Sequence, residues 1–270
     1  MNKSISILGC GWLGLPLAEY LISNGFNVKG STTSQEKLSL LSSKKIIPFY
    51  IELNPNIKGN NIPEFFQSQI LIIDIPPGGS ENKISYHTKQ ITSILDQIQK
   101  SAIEKIIFIS STSVYGNVNR EVIEEDDLLP EKDSGKALKK VEKIIFGNKS
   151  FDKTIIRFAG LFDDDRNPVR YFAGNINIPS GNMPVNLIHR KDCIKIIYEV
   201  IVQNAWNEIF NACSDFHPAK REFYTAAAEK LNLKKPEFID TVGNYKIVNS
   251  EKLKKYLGYN FIYPNPLSMI

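Results

Sequence analysis

Cysteine and histidine are scarce in this chain, which contains three of each among its 270 residues. The cysteines are Cys10, Cys193 and Cys213. Their wide separation excludes a disulfide framework, and neither residue type shows the clustered spacing of a metal site. We therefore expect no bound metal, and small buried thiols in a reducing compartment.

Long apolar runs are also missing. No window supplies the ~18 uninterrupted apolar residues that a membrane helix requires. The apolar stretch before Cys10 is shorter than the ~7–15 residues of a signal-peptide core. The composition therefore predicts a cytoplasmic protein with no membrane partner.

Charge of one sign is not in large excess, since the formal net charge is only +4. The lysines are scattered among acidic residues and form no basic stripe interleaved with aromatics, so nucleic acid is not an expected partner. The G-x-S-x-G elbow of many hydrolases is absent as well. With 42% apolar residues, the chain is long enough for one large or two small globular domains.

A glycine motif near the N-terminus is the most informative segment. A strand-like apolar run leads directly into GCGWLG, which a helical pattern follows. In such motifs Gly9 allows a tight turn, Gly11 lets a pyrophosphate approach the backbone, and Gly14 packs the helix on the strand. Trp12 and Leu13 complete the loop, and the helix N-terminus favours phosphate. This context predicts a dinucleotide site, against the alternative of a glycine-rich turn without a ligand.

Strand and helix patterns alternate over the first 160 residues. Strands are predicted over residues 5–8, 26–29, 46–51, 70–75, 103–110 and 154–158, and helices over residues 12–23, 35–42, 82–101 and 136–146. Continuous apolar strands suit a sheet covered on both faces. The fold class predicted is α/β, a Rossmann-like doubly wound parallel sheet with helices on both faces.

The pattern is looser after residue 160. Helices are predicted over residues 164–172, 192–203, 220–231 and 250–256, and short strands over residues 185–188 and 208–211. We expect a dinucleotide-binding domain over residues 1–160. Residues 161–270 would form a small substrate-binding cap interleaved with the last sheet elements.

The segment after the second strand bears on the choice of cofactor. Thr32 occupies the position where NAD sites usually carry an acid for the ribose diol. Groups suited to a 2′-phosphate are supplied instead by Ser31, Thr32, Thr33, Ser34 and Lys37. This favours NADP, with NAD as second choice. The alternative is that the hydroxyls only cap the next helix.

Another expected cofactor contact is Pro76-Pro77-Gly78-Gly79, which ends a predicted central strand. Ligands of open α/β sheets bind at the carboxyl ends of the strands. We expect Pro76 and Pro77 to pass close to the cofactor. The alternative is a simple turn, which is compatible with that role.

Four later segments, together with the glycine motif, carry a family resemblance. They are FISSTSVYG at 108–116, IIRFAGLF at 155–162, NLIHRKD at 186–192 and FNACSD at 210–215. The chain resembles the extended short-chain dehydrogenase/reductase superfamily, and within it the bacterial NAD-dependent epimerase/dehydratase proteins. The resemblance implies hydride chemistry on a nucleotide-linked sugar or a small carbonyl compound, and a homodimer.

In that superfamily a serine orients the substrate oxygen, a tyrosine transfers the proton, and a lysine in Tyr-x-x-x-Lys lowers the tyrosine pKa. The resemblance places Ser111 in the serine position, with Thr112 beside it. The tyrosine and lysine do not carry over to this chain. Ser134 and Leu138 occupy their positions, and Tyr-x-x-x-Lys occurs nowhere in the sequence.

The missing pair leaves the proton group open. Tyr115 is a candidate, with Lys136 or Lys139 as the cation, although packing of the Tyr115 ring at the strand end is the favoured interpretation. The rival hypothesis is a non-catalytic NADP-binding redox sensor or scaffold protein. A third is an isomerase or lyase that uses the fold without redox chemistry.

Several polar residues in and beside the later segments are expected to have structural roles. His189 lies inside NLIHRKD, where a structural hydrogen bond is expected rather than catalysis. The acidic residues 163–165 are expected to cap a following helix, and Asp192 another.

Overall fold

The computed structural model describes residues 4–78 and 82–270. The strands are β1 (Ser4–Leu8), β2 (Asn27–Thr32), β3 (Ile47–Leu53), β4 (Ile57–Gly59), β5 (Ile70–Ile73), β6 (Lys105–Ser111), β7 (Arg120–Val122), β8 (Asp152–Phe158), β9 (Gly160–Phe162), β10 (Leu187–His189), β11 (Glu208–Ala212) and β12 (Lys246–Val248). The helices are α1 (Gly14–Ser23), α2 (Lys37–Ser43), α3 (Ile62–Phe65), α4 (Lys83–Ile98), α5 (Asp133–Gly147), α6 (Arg190–Val202), α7 (Lys220–Lys230) and α8 (Glu251–Leu257).

One eight-stranded sheet organises the fold, in the order β11-β8-β6-β5-β1-β2-β3-β4. Strand β1 pairs in parallel with β2 and β5, and β5 pairs in parallel with β6. The short β4 runs antiparallel to β3 at the edge. Strand β5 is buried along its whole length, because both faces of a central parallel strand are covered. The predicted α/β class with a Rossmann-like sheet is confirmed.

Several element boundaries differ from those predicted. The helix after the glycine motif begins at Gly14 rather than Trp12, and the next begins at Lys37 rather than Gln35. The sequence patterns missed β4 and the single-turn helix α3 altogether. Both are short, and elements of three or four residues leave little periodicity to detect.

The helix predicted over residues 164–172 is wrong. That segment contains only a 3₁₀ turn over Pro168–Tyr171. The cause is Pro168, which disfavours helical geometry at the residue before it, and Asn167 is accordingly extended with φ −81° and ψ 122°.

The chain divides into two compact units. The first comprises Met1–Ser110, Lys132–Ile156 and Ile197–Ile209. The second comprises Ser111–Glu131, Arg157–Ile196 and Phe210–Ile270. The division therefore crosses the chain several times, rather than once near residue 160. It does so because each of these stretches packs mainly against others of its own unit.

The second unit has its own small core. Phe162, Leu187 and Phe223 are buried there with Ala227 and Ala228. The same unit contains two parallel strand pairs, β9 with β10 and β7 with β12. Within residues 4–78 and 82–270, no helix is both long and apolar enough to cross a bilayer.

Candidate functional site

The glycine loop between β1 and α1 has the backbone geometry that its sequence predicts. Gly9 has φ +112°, and a Cβ there would lie 2.2 Å from the carbonyl oxygen of Asp74. A Cβ on Gly14 would lie 2.1 Å from the carbonyl oxygen of Gly9. A Cβ on Gly11 would meet nothing within 4 Å. Gly9 and Gly14 are therefore required by the turn itself, whereas Gly11 leaves space in front of the backbone.

Strand β2 holds this loop in place. The Gly9 amide donates a hydrogen bond to Ser31 Oγ at 2.9 Å, and the Cys10 amide donates to the Ser31 carbonyl at 2.8 Å. Ser31 is buried. Its hydroxyl thus has a structural task in the loop, in addition to the cofactor contact predicted for it.

A cavity of about 490 Å³ opens beside the glycine loop. It lies within the ~300–1,000 Å³ range of small-molecule and cofactor sites. The predicted cofactor residues that line it are Gly9, Gly11, Ser31, Thr32, Thr33, Lys37 and Pro76. An open backbone approach at Gly11 and a cavity of this size fit a dinucleotide.

A second, smaller cavity of about 310 Å³ shares Cys10, Gly11 and Lys37 with the first. Trp12 and Leu40 also line it. Lys37, the first residue of α2, is exposed and lines both cavities.

Other predicted cofactor residues support the loop or flank the cavity. Leu13 is buried, and Gly14 makes the close contact with Gly9 described above. Ser34 and Pro77 are half-buried beside residues that do line the cavity. Gly79, the end of the Pro-Pro-Gly-Gly segment, lies outside the described residues.

Four polar residues of the cavity were not predicted from the sequence: Glu52, Asn54, Asp74 and Gln90. Glu52 lies within β3, Asn54 directly follows that strand, and Asp74 directly follows β5. The strand-end rule selects Asn54 and Asp74 once the observed ends of β3 and β5 are known, but the strands predicted over residues 46–51 and 70–75 ended elsewhere. Gln90 comes from the middle of α4, and no sequence signal distinguishes it.

The side chains of residues 31–34 do not cap α2. The residue preceding α2 is Glu36, and no side chain caps the helix. Thr32 Oγ1 instead accepts a hydrogen bond from the Ser34 amide at 3.2 Å, which forms a local turn. The alternative reading of these hydroxyls as helix caps is therefore wrong.

Ser111 ends β6, and Thr112 begins the 3₁₀ turn that follows. Ser111 is half-buried, and its Oγ accepts a hydrogen bond from the Ser113 amide at 3.1 Å. Its hydroxyl proton can still be donated to another oxygen, because the hydroxyl is both donor and acceptor. Thr112 is buried, with 6% of its surface exposed.

Tyr115 belongs to a buried polar network. Its hydroxyl donates to Asn211 Oδ1 at 2.8 Å and accepts from Arg157 Nη1 at 2.5 Å. Glu124 Oε1 in turn accepts a hydrogen bond from the backbone N–H of Asn211 at 2.7 Å. Burial raises the pKa of Tyr115 to about 12, although Arg157 and Asn211 act in the opposite direction. This geometry favours the packing role over proton transfer at neutral pH.

Helix α5 carries the positions of the missing pair. Ser134 is half-buried, and Leu138 is buried on the apolar face of the helix. Lys136 is exposed and forms an ion pair with Asp133. Farther along the helix, Glu142 accepts a hydrogen bond from the Ser110 hydroxyl at 2.5 Å in the interior.

His189 and Asp163 form a second buried pair. His189 Nε2 lies 3.2 Å from Asp163 Oδ1, and His189 Nδ1 accepts from the Lys191 amide. Arg190 Nε contacts the other oxygen of Asp163 at 2.6 Å. Burial lowers the His189 pKa, although the carboxylates of Asp163, Asp192 and Asp164 act to raise it. The imidazole is thus held by structural contacts, as predicted.

Two carboxylates have different roles from those expected. The Asp163 carboxylate contacts His189 and Arg190 instead of capping a helix, since the residues directly after it form a β-bridge and a 3₁₀ turn rather than an α-helix. Asp192 lies within the first turn of α6 and accepts from the Tyr259 hydroxyl and from the Ile262 and Tyr263 amides. It therefore anchors the C-terminal segment rather than capping its own helix.

Comparison with curated proteins identifies a relative over nearly the whole chain. The protein YeeZ of Escherichia coli K12 is 31% identical over 271 residues, which cover 99% of this chain and 98% of that protein. The chain belongs to the family of YeeZ. No family model matches it.

Solved structures with the same fold include two sugar-nucleotide epimerases. The UDP-Glc/GlcNAc 4-epimerase of Campylobacter jejuni matches with a TM-score of 0.81 and 14% identity, over 99% of this chain and 97% of its own. The UDP-glucose 4-epimerase of Thermotoga maritima matches with a TM-score of 0.80 and 16% identity, over 98% and 96%.

A third match is a short-chain dehydrogenase/reductase superfamily protein of Agrobacterium tumefaciens with bound NAD. Its TM-score is 0.77 at 16% identity, over 96% of this chain and 93% of its own. At these identities the likeness concerns the fold. This chain therefore shares its fold with these three proteins, one of which is named as a member of the short-chain dehydrogenase/reductase superfamily.

Proposed function

We propose that this protein binds a nicotinamide dinucleotide in the 490 Å³ cavity beside the glycine loop. The observation that carries the proposal is the contrast among the glycines: Gly9 and Gly14 are enclosed by backbone, whereas Gly11 faces open space. A pyrophosphate needs this open approach, and the N-terminus of α1 supplies amide donors and a favourable dipole.

We further propose NADP as the preferred cofactor. Thr32 stands where an acid would repel a 2′-phosphate, and Thr33 and Lys37 both line the cavity as exposed residues. An ammonium group and a hydroxyl are suitable partners for a phosphate. Glu52 on β3 also borders the cavity, and its carboxylate accepts a hydrogen bond from the Tyr50 hydroxyl.

The chemistry proposed is reduction or transient oxidation of a small carbonyl or nucleotide-sugar-like substrate. The bound nicotinamide would supply or accept hydride. Ser111 would donate its hydroxyl proton in a hydrogen bond to the substrate oxygen, since its Oγ already accepts from Ser113. Thr112 would hold the backbone of the turn that presents Ser111.

The proposed substrate class draws on the relatives of similar fold, whose structures contain or are named for UDP-sugars. The substrate class proposed for this chain is broader than UDP-sugars. It covers compounds with a carbonyl or secondary alcohol that a serine hydroxyl can orient.

The second candidate function is a non-catalytic NADP-binding sensor or scaffold. The observation that favours it is the burial of Tyr115, which raises the pKa of its phenol to about 12 although Arg157 and Asn211 act to lower it. Ser134 and Leu138 supply neither a phenol nor a cation at the positions of the usual pair. On this hypothesis cofactor binding persists without turnover.

The first experiment is thermal unfolding with NADPH and NADH, each at about 100 times a plausible Kd. Binding of one site at that ratio contributes about 2.7 kcal/mol, which corresponds to roughly 5–10 °C for a protein of this size. We expect the larger shift with NADPH. No shift with either nucleotide would overturn the binding proposal.

The second experiment separates the two candidate functions. Protein that binds NADPH is incubated with labelled NADPH and a panel of carbonyl compounds, and transfer of label to product is measured. Transfer that Ser111→Ala reduces supports the enzyme. Binding without transfer to any compound of the panel supports the sensor or scaffold.

A further inference from the structure

Asp74 lines the cavity at the glycine loop. It follows β5, and the parallel pairing of β5 with β1 aligns Ile73 with Leu8. The Asp74 amide donates to the Leu8 carbonyl at 2.9 Å, so its backbone continues the ladder beyond the strand. The Asp74 carbonyl oxygen packs against Gly9 so closely that a Cβ at that position would lie only 2.2 Å from it. The position of Asp74 relative to the loop is therefore closely constrained.

The Asp74 side chain takes a hydrogen-bond donor that an anionic ligand would use. The backbone N–H of Gly14, the first residue of α1, donates to the Asp74 carboxylate. The residue before the helix, Leu13, provides no side-chain cap. Asp74 thus performs from a neighbouring strand the task of a capping residue, and its charge lies at the positive end of the helix.

A dinucleotide pyrophosphate requires the same place. It is anionic, it binds to amide donors at the start of α1, and it must approach the backbone at Gly11. With Asp74 ionised, two negative groups would share a partly desolvated space and compete for donors. With Asp74 neutral, the repulsion disappears and the carboxyl group gains a proton with which it can donate to a phosphate oxygen.

We infer that Asp74 is a proton-linked gate for the cofactor: its carboxyl group takes up a proton from solvent when a dinucleotide pyrophosphate binds at the glycine loop. This inference rests on the proposed cofactor binding and adds the condition under which that binding is strong. Affinity therefore falls as the pH rises through the pKa of Asp74.

The titration falls in an accessible range, because burial raises the pKa of Asp74 to about 7 even though the Gly14 N–H acts to lower it. Other groups face the same space from each surrounding element. The Cys10 thiol lies in the loop, and burial raises its pKa to about 12, so that it stays neutral. Glu52 on β3 and Lys37 on α2 border the cavity.

Helix α4 presents Gln90 to the cavity, with His87 behind it. His87 Nδ1 contacts Gln90 Oε1 at 3.0 Å, and burial lowers the His87 pKa. The imidazole is therefore neutral near pH 7 and above. Among these groups, Asp74 is the one whose titration near pH 7 changes the charge at the glycine loop.

The test is NADPH binding to wild type and Asp74→Asn from pH 6 to pH 8. Asparagine keeps the acceptor for the Gly14 N–H and removes the charge. We expect the ratio of the wild-type Kd to the variant Kd to rise about tenfold over this range, as for a single site with a pKa near 7. The 2′-phosphate of NADPH also titrates near pH 6, but it does so equally in both proteins and cancels in the ratio.

Two control variants locate the effect. Glu52→Gln removes the other carboxylate of the cavity and should keep the wild-type slope of Kd against pH. Asp96→Asn removes an exposed carboxylate of α4 and should also keep it. Loss of the slope in Glu52→Gln rather than in Asp74→Asn would overturn the assignment to Asp74.

A measurement on the wild type alone covers the case in which the variant does not fold. Calorimetric titrations of NADPH at pH 8, in buffers of different ionisation enthalpy, give the number of protons taken up. Uptake approaching one proton supports the inference. Uptake near zero, or a constant Kd ratio, would overturn it while leaving cofactor binding intact. Absence of NADPH and NADH binding at every pH would instead overturn the proposed function and the inference with it.

Discussion

Arg157 Nη1 donates a hydrogen bond to the Tyr115 hydroxyl at 2.5 Å, and its guanidinium lies 5.0 Å from the centre of the same ring. The cation therefore contacts both the hydroxyl and the face of the phenol. Arg157 and Tyr115 are brought together from two of the motifs that carry the family resemblance. In this chain the two motifs meet in a buried structural network.

Tyr115→Phe tests that interpretation. Removing the hydroxyl leaves Arg157 and Asn211 short of a buried partner, so we expect a loss of about 1–3 kcal/mol in the free energy of unfolding. Urea denaturation measures it. The matched control is Tyr171→Phe at a position 76% exposed, for which a change within about 0.5 kcal/mol is expected.

If Tyr115 were instead the proton donor, the result would differ. The phenylalanine variant would then keep its stability and NADPH affinity but lose labelled-hydride transfer. That outcome would contradict the structural role and restore Tyr115 as a catalytic candidate.

In the glycine loop, one substitution should lower stability and a neighbouring one should lower cofactor affinity. Gly9→Ala should destabilise the fold by about 2 kcal/mol or more, because its φ is positive and the new methyl would overlap the Asp74 carbonyl. Gly11→Ala should leave the melting temperature nearly unchanged but weaken NADPH binding about tenfold or more, since the methyl would stand where a pyrophosphate approaches. Thermal unfolding and fluorescence titration measure these effects.

Gly147→Ala is the control for Gly11→Ala. A Cβ at Gly147 also meets nothing within 4 Å, but this residue lies at the end of α5. NADPH affinity should be unchanged there. Equal affinity in wild type and Gly11→Ala would contradict the assigned approach of the pyrophosphate.

Lys37→Ala tests the cofactor preference. A lysine that contacts a 2′-phosphate contributes a charge-assisted hydrogen bond, so the variant should bind NADPH about tenfold more weakly. Its affinity for NADH should not change. Lys100→Ala removes an exposed lysine near the end of α4 and provides the comparison. A parallel loss of NADPH and NADH affinity would show that Lys37 acts on some other part of the cofactor.

Asp163 makes stability dependent on pH at the acid end. Its burial raises the pKa, but the Asp164 amide, His189 and Arg190 outweigh burial and hold the pKa below the usual 3.8. A depressed carboxylate pKa contributes stability above the unfolded-state value, and that contribution is lost as the pH falls through the folded-state value. The stability difference between wild type and Asp163→Asn should therefore be constant above about pH 7, where His189 is neutral, and should shrink below about pH 4 as Asp163 becomes protonated.

Urea denaturation at several pH values measures this difference. At pH 7 we expect the variant to be less stable by about 1–3 kcal/mol, because Arg190 and His189 each lose a partner. An unchanged stability of Asp163→Asn at pH 7 would show that these contacts contribute nothing net.

The sequence by itself determined the sheet and the glycine loop. Continuous apolar strands predict central strands covered on both faces, and the order strand, glycine motif, helix is a local pattern that one stretch of chain contains in full. Gly9, Gly11 and Gly14 could be given separate roles for the same reason, since backbone conformation and close approach depend on neighbours only a few residues away.

Only the tertiary structure decided how the remaining polar groups are used. Ser31 holds the glycine loop, Tyr115 is enclosed by Arg157 and Asn211, and Asp74 faces the start of α1. Each of these relationships joins residues from separate elements. Periodicity and spacing describe one element at a time, whereas burial, competition for donors and pKa shifts arise when several elements pack around the same group.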